Sequence, residues 1–580
     1  MTQRNDHFRT SLNSAETNLT PATVNLLSAF HKLYTRLLDA DVYAQPLYVS
    51  DLEIEGKNRN IIFIATENNT VCAFEDDPRE KNTRQAPLWR RNLGPAIPSE
   101  ELSVDIGDPP SGWTDLTTIV GITGTPVIDR SNNVLYVVAK TKWDNQYANT
   151  LYALDLRSGD IIRQAVVEGS AQGKGIGSAS GRIAFQPVFQ INRPALLLDH
   201  DRLYVAFGGQ GDVGPVHGWL FAYNPSNLKL IDVFITTPNT VGKDNGQGAL
   251  WMSGTGPAAD EEGNIYVSVA NGGCDAHLGD YGDSLVKLRF QSDRFSVEGW
   301  FTPTNEAILK LQDADFGSAG PLLVPGRHLL LTGSKEGKMY LFDTSAMKGN
   351  TPALQEFQVM PGPHYFGPAT NYGAIRYWNI HGTPVQLLTT HDRFFYVCGE
   401  EDPVRAYRLA SASAADGQPR LQPESSFATS DERAAYPPER AHLSNPPVAQ
   451  PNVWMPGGFL SLSCNGTMPN TAILWALMPW DGNANGRVVQ GVLRAFDPVN
   501  FVARPDGSLR IPQLWSSDHD HNRSDDRLGM YPKFSTPTIA NGHVIVTTFQ
   551  EEVVGTNGIH YIKKGGLPAT LTVYGLPPSY

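Results

Sequence analysis

The chain has 580 residues, 41% of them hydrophobic and 18% charged, with 46 Lys and Arg against 59 Asp and Glu for a formal net charge of -13. A surface this acidic repels a phosphate backbone, whose binding rests on Lys and Arg, so nucleic acid is excluded as a partner. No run of about 18 apolar residues offers a membrane span, and Met1 to Asn18 lacks the apolar core of a signal peptide.

The expected protein is therefore soluble, cytoplasmic as written, and periplasmic or secreted if a leader has been removed. The 54 Gly and 42 Pro, with 10% aromatic residues, describe many tight turns with aromatic packing between them. Cys72, Cys274, Cys398 and Cys464 lie far apart, with no CxxC pair, which disfavours zinc clusters and covalent haem and predicts buried or partly buried free thiols.

At about 100 to 200 residues per domain the length suggests several units, but a repeat overrides that count. In chain order, short apolar strands open at Gln45-Pro46, Thr125-Pro126, Gln186-Pro187, Gly256-Pro257, Gly320-Pro321, Thr383-Pro384, a proline-free Gly458-Phe459, and Thr536-Pro537. They recur roughly every 60 to 80 residues, which leaves room for sizeable loops. Each precedes a second strand rich in Val, Ile and Tyr, such as Ile61 to Ala65, Leu135 to Ala139 and Leu203 to Phe207. Third strands end in an acid or amide that leads into a turn, as in Val71 to Glu75, Leu151 to Asp155, Leu220 to Asn224, Met339 to Asp343 and Leu493 to Asp497.

The predicted fold class is all-β, a single propeller of about eight four-stranded antiparallel blades. Its last blade stops at Leu576 with three strands, and Phe30 to Leu38 is predicted to supply the fourth and close the ring. The chain then divides into an N-terminal arm, 1–29, and the propeller, 30–580.

In such a ring the second-to-third loops and the loops between blades emerge on one face and converge on the axis. That gathers Lys140, Asp212, His217, Asn271, Lys335 and Glu400 with Trp113, Trp251, Asp313, Asp315, His381 and Trp454. A mouth of Lys, Asp, Asn and Trp suits a polar planar ligand or a cation, or else is a solvated rim.

Leu151-Tyr-Ala-Leu-Asp155 with Ser158-Gly159-Asp160 resembles the repeat of the pyrroloquinoline-quinone propellers, the quinoprotein alcohol dehydrogenase-like family. The resemblance runs from about Gln45 to Leu576, and Trp89 and Trp515 sit where that family places a docking tryptophan on the fourth strand. Trp251-Met-Ser-Gly-Thr-Gly-Pro257, followed by Ala270-Asn271-Gly272, is similar to the stretch in which a tryptophan floors the quinone and an asparagine ligates calcium. The glycine-rich loop from Gly209 to Gly218 resembles one that carries an acidic calcium ligand, which implies Asp212 as that ligand and His217 beside the cofactor. Lys335 matches the basic residue that contacts the quinone oxygens, and Asp313-Ala-Asp315 lies where the family keeps its catalytic aspartate, with either carboxylate as the match.

The resemblance implies a dehydrogenase of an alcohol or polyol. Asp212, Asn271 and Asp315 would ligate calcium, which polarises a carbonyl of pyrroloquinoline quinone. Trp251, Lys335 and His217 would hold the cofactor, with Asp313, Asp315 and Lys335 as the catalytic set. The sequence also departs from the pattern. No two cysteines are adjacent, blade one opens Val42-Tyr43-Ala44-Gln45 where the enzymes usually keep a glutamate, and the arginine and threonine contacts expected in blade two have no clear counterpart.

Two further classes follow from these departures. One is a non-catalytic propeller that binds a protein or polymer. The other is a cofactor-free enzyme that reuses the funnel for a small molecule, with Asp315 and Lys335 as acid and base. The acid-and-histidine run Asp518 to Asp526 lacks the glycine and the closing glutamate of a calcium loop, and no helical pattern follows Gly173 to Gly181, so both read as surface loops.

Overall fold

The computed structural model describes residues 4–107, 118–241, 247–365, 367–368, 370–371, 373–410, 419–422, 428–433, 455–480, 482–518, 524–555 and 560–578. Among them the α-helices are short, Ser99–Ile106 and Glu306–Leu311, and strands dominate. None of these helices is long and apolar enough to cross a membrane.

Among the described residues, eight sheets each carry a path of four antiparallel, hydrogen-bonded strands. Sheet one runs Leu47–Ile54, Lys57–Thr66, Thr70–Glu75 and Trp89–Asn92. Sheets two to seven open at Val127–Asp129, Leu197–Asp199, Ala258–Ala259, Leu322–Val324, Val385–Leu388 and Phe459–Ser463. Sheet eight takes Thr538–Ala540, His543–Thr547 and Thr570–Gly575 from the end of the chain. Its fourth strand is His31–Leu37, antiparallel to Thr570–Gly575 with His31 opposite Gly575 and Leu37 opposite Thr570.

The inner strands start where proline makes them start. Leu47, Val127, Ala258, Leu322, Val385 and Thr538 each directly follow the proline of the repeat. Proline has no N–H for the ladder and a fixed φ, so the pairing begins one residue later.

Sheet three corrects the expectation of a first strand at Gln186-Pro187. Pro187–Phe189 is a single 3-10 turn, Gln190–Ile191 pairs with Gly208 and Gly209, and the inner strand is Leu197–Asp199. A second proline, Pro194, leads into Ala195, Leu196 and Leu197, all fully buried, whereas Pro187, Val188 and Phe189 are only half-buried. The run that removes more apolar surface from water takes the inner position.

Alternation along each strand supplies two packing faces. Leu203, Val205 and Phe207 pack on sheet two, while Tyr204 and Ala206 pack on sheet four. Further clusters join sheets four to five, five to six, six to seven and seven to eight. Ile545, Leu571 and Val573 of sheet eight share a cluster with sheet one.

The segment before His31 reaches the inner strands. Arg4 and Arg9 are fully buried. Arg4 Nη2 donates to the Pro384 carbonyl at 2.6 Å, and Arg9 donates to Pro257 at 2.9 Å and Leu196 at 3.3 Å. Gln45 serves this segment, accepting the Arg4 backbone N–H at 2.8 Å.

Candidate functional site

Asp212, Trp251, Asn271, Asp313, Asp315 and Lys335 all line one cavity of about 190 Å³. They come from turns of sheets three, four and five. Asp212 follows Arg202–Gly209, Asn271 follows Asn264–Ser268, and Lys335 follows Leu329–Gly333. Trp251 lies in the loop entering sheet four, and Asp313 and Asp315 lie between helix Glu306–Leu311 and the turn Phe316–Ser318. At roughly 10 to 15 Å³ of such space per water molecule, the cavity has room for a small planar ligand.

Lys335 is the hub. Its Nζ lies 2.7 Å from Asp315 Oδ2, 3.1 Å from Asp313 Oδ2 and 5.5 Å from the centre of the Trp251 ring. Burial works against the charge, but the two carboxylates outweigh it and hold the ammonium above its ordinary range. Lys335 is therefore a donor and a fixed positive charge at neutral pH, not a base.

The two aspartates differ. The Asp315 side chain is 6% exposed, and its Oδ1 accepts the Asn271 backbone N–H at 2.9 Å, so both of its oxygens are engaged. Asp313 is 41% exposed and accepts the Asn271 side-chain N–H at 3.0 Å. Behind them Asp283 is fully buried. Desolvation first, then repulsion from Asp315, raises its carboxyl well above the usual range, and its Oδ1 accepts the Phe316 N–H at 2.9 Å.

His217 lies outside this lining. It is fully buried within sheet three, where its Nε2 donates to the Ile176 carbonyl at 3.0 Å and its Nδ1 sits 2.9 Å from Thr237 Oγ1. Both ring nitrogens are used by local structure, which removes it from the residues gathered at the cavity. Trp113, Trp454 and His519 to Arg523 lie outside the described residues. Asp518 is 3.7 Å from Arg494, and Asp526 Oδ1 accepts the Lys32 N–H at 2.8 Å, so both flanks of that loop serve the framework. The four cysteines are free, three of them buried and Cys274 half-buried.

The cavity also holds residues that sequence reasoning missed: Arg193, Gln312, Tyr377, Asn379 and Phe534. Arg193 precedes Pro194 just ahead of the true inner strand of sheet three, so placing that strand at Gln186-Pro187 hid it. The guanidinium stands 5.7 Å from the Trp251 ring centre and 5.0 Å from that of Phe534, and its Nε and Nη2 are buried with no hydrogen-bond partner among the described residues.

The donor set fits a hard cation and a planar polar cofactor. Among the described residues Asn271 Oδ1 accepts no hydrogen bond, carboxylates line the same cavity, and an indole supplies a stacking face. Among the described residues no three acidic, histidine or cysteine side chains converge as a ready metal cage. A cation here would share oxygens with a bound ligand.

No family model matches the chain, and no curated protein does. Solved structures do. A europium-containing methanol dehydrogenase is 13% identical, with 99% of this chain and 97% of that one covered at a TM-score of 0.54. A quinohemoprotein alcohol dehydrogenase from Pseudomonas putida HK5 is 12% identical, covering 100% of this chain and 80% of that one at 0.52. The quinohemoprotein alcohol dehydrogenase of Comamonas testosteroni gives 12% identity and the same coverages, 100% and 80%, at 0.50. At such identities the likeness is one of fold alone.

Proposed function

We propose that the eight sheets are the blades of one ring closed by His31–Leu37, with 1–29 as its arm, and that the chain is a quinoprotein-like dehydrogenase of an alcohol or polyol. One observation carries the reading: six residues scattered from Asp212 to Lys335 in the sequence line a single cavity, with one ammonium bridging two carboxylates. Fold likeness to alcohol and methanol dehydrogenases supports it.

Trp251 and Lys335 would hold pyrroloquinoline quinone, and Asp212, Asn271 and Asp315 would hold calcium beside it. When bound, this pair supplies an electrophilic carbonyl that accepts the substrate's two electrons. The chain's own residues supply the proton chemistry. Asp313, the more open carboxylate, would take the proton of a substrate hydroxyl. Asp315 fixes Lys335 from the buried side, and the Lys335 ammonium stabilises negative charge that develops on an oxygen near the Trp251 face.

Native mass spectrometry of the purified protein tests this. Retained quinone and calcium, or their uptake on reconstitution with alcohol-dependent dye reduction, is the expected result. A protein that takes up neither and turns over no alcohol is instead a binding propeller for a small molecule, polymer or protein partner.

A further inference from the structure

Two connections between sheets meet along one wall of the cavity. The one from sheet four to sheet five carries helix Glu306–Leu311, and after it Gln312, Asp313 and Ala314 line the cavity. The one from sheet five to sheet six carries the paired strands His364–Tyr365 and Ile375–Arg376, and Gly373, Ile375 and Tyr377 line the same space. Leu309, Ala314, Ile375 and Tyr377 form a buried cluster of their own, apart from the clusters that join the sheets. Elements held by so small a core open locally at a low free-energy cost, which is the behaviour of a cap and not of a framework.

Polar contacts set how far the two connections part. The second is tied to sheet six near its end, where Arg376 Nη2 lies 3.0 Å from Glu401 Oε1 and the Trp378 Nε1–H donates to Glu401 Oε2 at 3.2 Å. It is tied to the first by Gln312, a buried amide whose Oε1 accepts the Ile375 N–H at 3.2 Å and whose Nε2 donates to the Asn371 carbonyl. An amide accepts on one atom and donates on the other, so this single side chain grips the second connection at two points.

We infer that the two connections form a cap over the cavity and that Gln312 is its specificity-determining residue. By holding Asn371 and Ile375 against the first connection, Gln312 fixes the aperture beside Asp313 and with it the breadth of ligand admitted. Slim ligands enter with the cap shut. Broad ones enter only from the open state, so their rate of entry follows the cap's opening equilibrium. The inference rests on reading this cavity as the ligand site, but not on which cofactor the site holds.

Thiol labelling of the full chain tests it without any turnover. Ala249→Cys places the probe in the cavity lining, two residues before Trp251. Labelling by iodoacetamide and by the much broader fluorescein maleimide is then timed with Gln312 intact and in Gln312→Ala, and peptide mass mapping keeps the half-buried Cys274 apart from the probe. With Gln312 intact, iodoacetamide should react and the maleimide should lag well behind it. Gln312→Ala should speed the maleimide by about tenfold, the shift in opening that goes with two lost hydrogen bonds, and change iodoacetamide by less than about twofold. Amide hydrogen exchange of the peptide that contains Ile375 should quicken with it. Gln312→Glu keeps the acceptor for Ile375 and loses the donor to Asn371, so it should fall between; it carries the same test should Gln312→Ala fail to fold.

A maleimide rate unmoved by either substitution overturns the inference, and so does an equal gain for both reagents or a thiol that stays unlabelled in every variant. Size selection that responds to Gln312 in a protein that takes up no quinone sinks the quinoprotein reading and keeps this one. Quinone uptake with labelling indifferent to Gln312 does the reverse.

Discussion

Asp313 and Asp315 share one ammonium but not one environment, and that difference separates their roles. Asp315→Asn removes half of a buried ion pair and should cost about 3 kcal/mol in a thermal melt, since the partner charge stays behind. Asp313→Asn alters a pair whose carboxylate side is open to solvent, worth about 1 kcal/mol. On the proposed reaction it should nonetheless lower kcat by about 100-fold or more, while Asp315→Asn disturbs binding as much as turnover. Equal kinetic losses with equal melts would remove the distinction. Two buried groups nearby set a signed pH dependence. Burial raises Glu67 from 4.5 to about 7, opposed by the Gly121 N–H. Its contribution is complete below pH 4.5 and is lost as pH rises through about 7, worth about 3 kcal/mol. Burial lowers Lys140 from 10.5 to about 7, so the folded state gains stability as pH climbs from about 7 towards 10.5. The melting temperature should therefore dip near neutrality. Glu67→Gln should flatten the acid side of the dip and Lys140→Met the alkaline side. A profile unmoved by either substitution would show that neither group titrates in this range.

At the scale of strands and turns, the contact between sheets one and two shows what the repeat encodes. The Trp89 Nε1–H donates to the Leu156 carbonyl at 2.9 Å, and the indole lies on Gly159, whose φ of 69° favours glycine and whose missing Cβ leaves room for the ring. Trp89→Ala should cost about 3 to 5 kcal/mol, and Gly159→Ala a similar amount through strain and a clash with the same ring, read as shifts in denaturation midpoint. Combining the two should cost less than their sum, because the clash vanishes with the indole. Additive losses would mean that the two residues do not meet. Most of this framework was legible because it is local: a proline directly before six of the inner strands, a β-branched second strand, and an acid or amide at the end of the third or just after it. Sheet three was misread because it offers two prolines, and the choice between Pro187 and Pro194 depends on what the following residues pack against. That single slip concealed Arg193. Asp212, Asn271 and Lys335 stand out in the sequence as polar residues in loops after apolar strands, whereas Asp313 follows a helix and is reached through its place between blades and the family resemblance. His217 satisfied the same pattern, yet its ring is consumed by Thr237 and Ile176, a tertiary fact absent from its neighbours in sequence.

For the whole molecule, the question is what makes eight separately paired sheets behave as one body. Neighbouring sheets share apolar clusters, but the N-terminal segment reaches sheets far apart in the chain. Arg4 and Arg9 donate to carbonyls of Pro384, Pro257 and Leu196, each the residue just before an inner strand, of sheets six, four and three. The carbonyls of His7 and Phe8 accept N–H groups of Ala259 and Leu323 at 2.9 and 3.0 Å, and that of Ser11 accepts from Leu462 at 2.8 Å. Burial lowers both guanidinium pKa values to about 9, which still leaves them charged at neutral pH, where main-chain carbonyls and Asp6 compensate them. Two buried charges held only by properly placed sheets favour the assembled arrangement over any partial one. Removing residues 1–15 should lower the melting temperature by several degrees and broaden the transition, although sheet eight keeps its fourth strand. Removal through Leu38 should cost more, since it takes away His31–Leu37, opens a sheet edge, and strips Phe30 from Trp475 and Trp515, 5.6 and 5.0 Å away. Should a truncation prevent folding, Arg4→Met with Arg9→Met keeps the backbone contacts and isolates the charges. Scanning calorimetry that returned one sharp, unshifted transition for the shorter truncation and for the double variant would show that the sheets hold together without the arm.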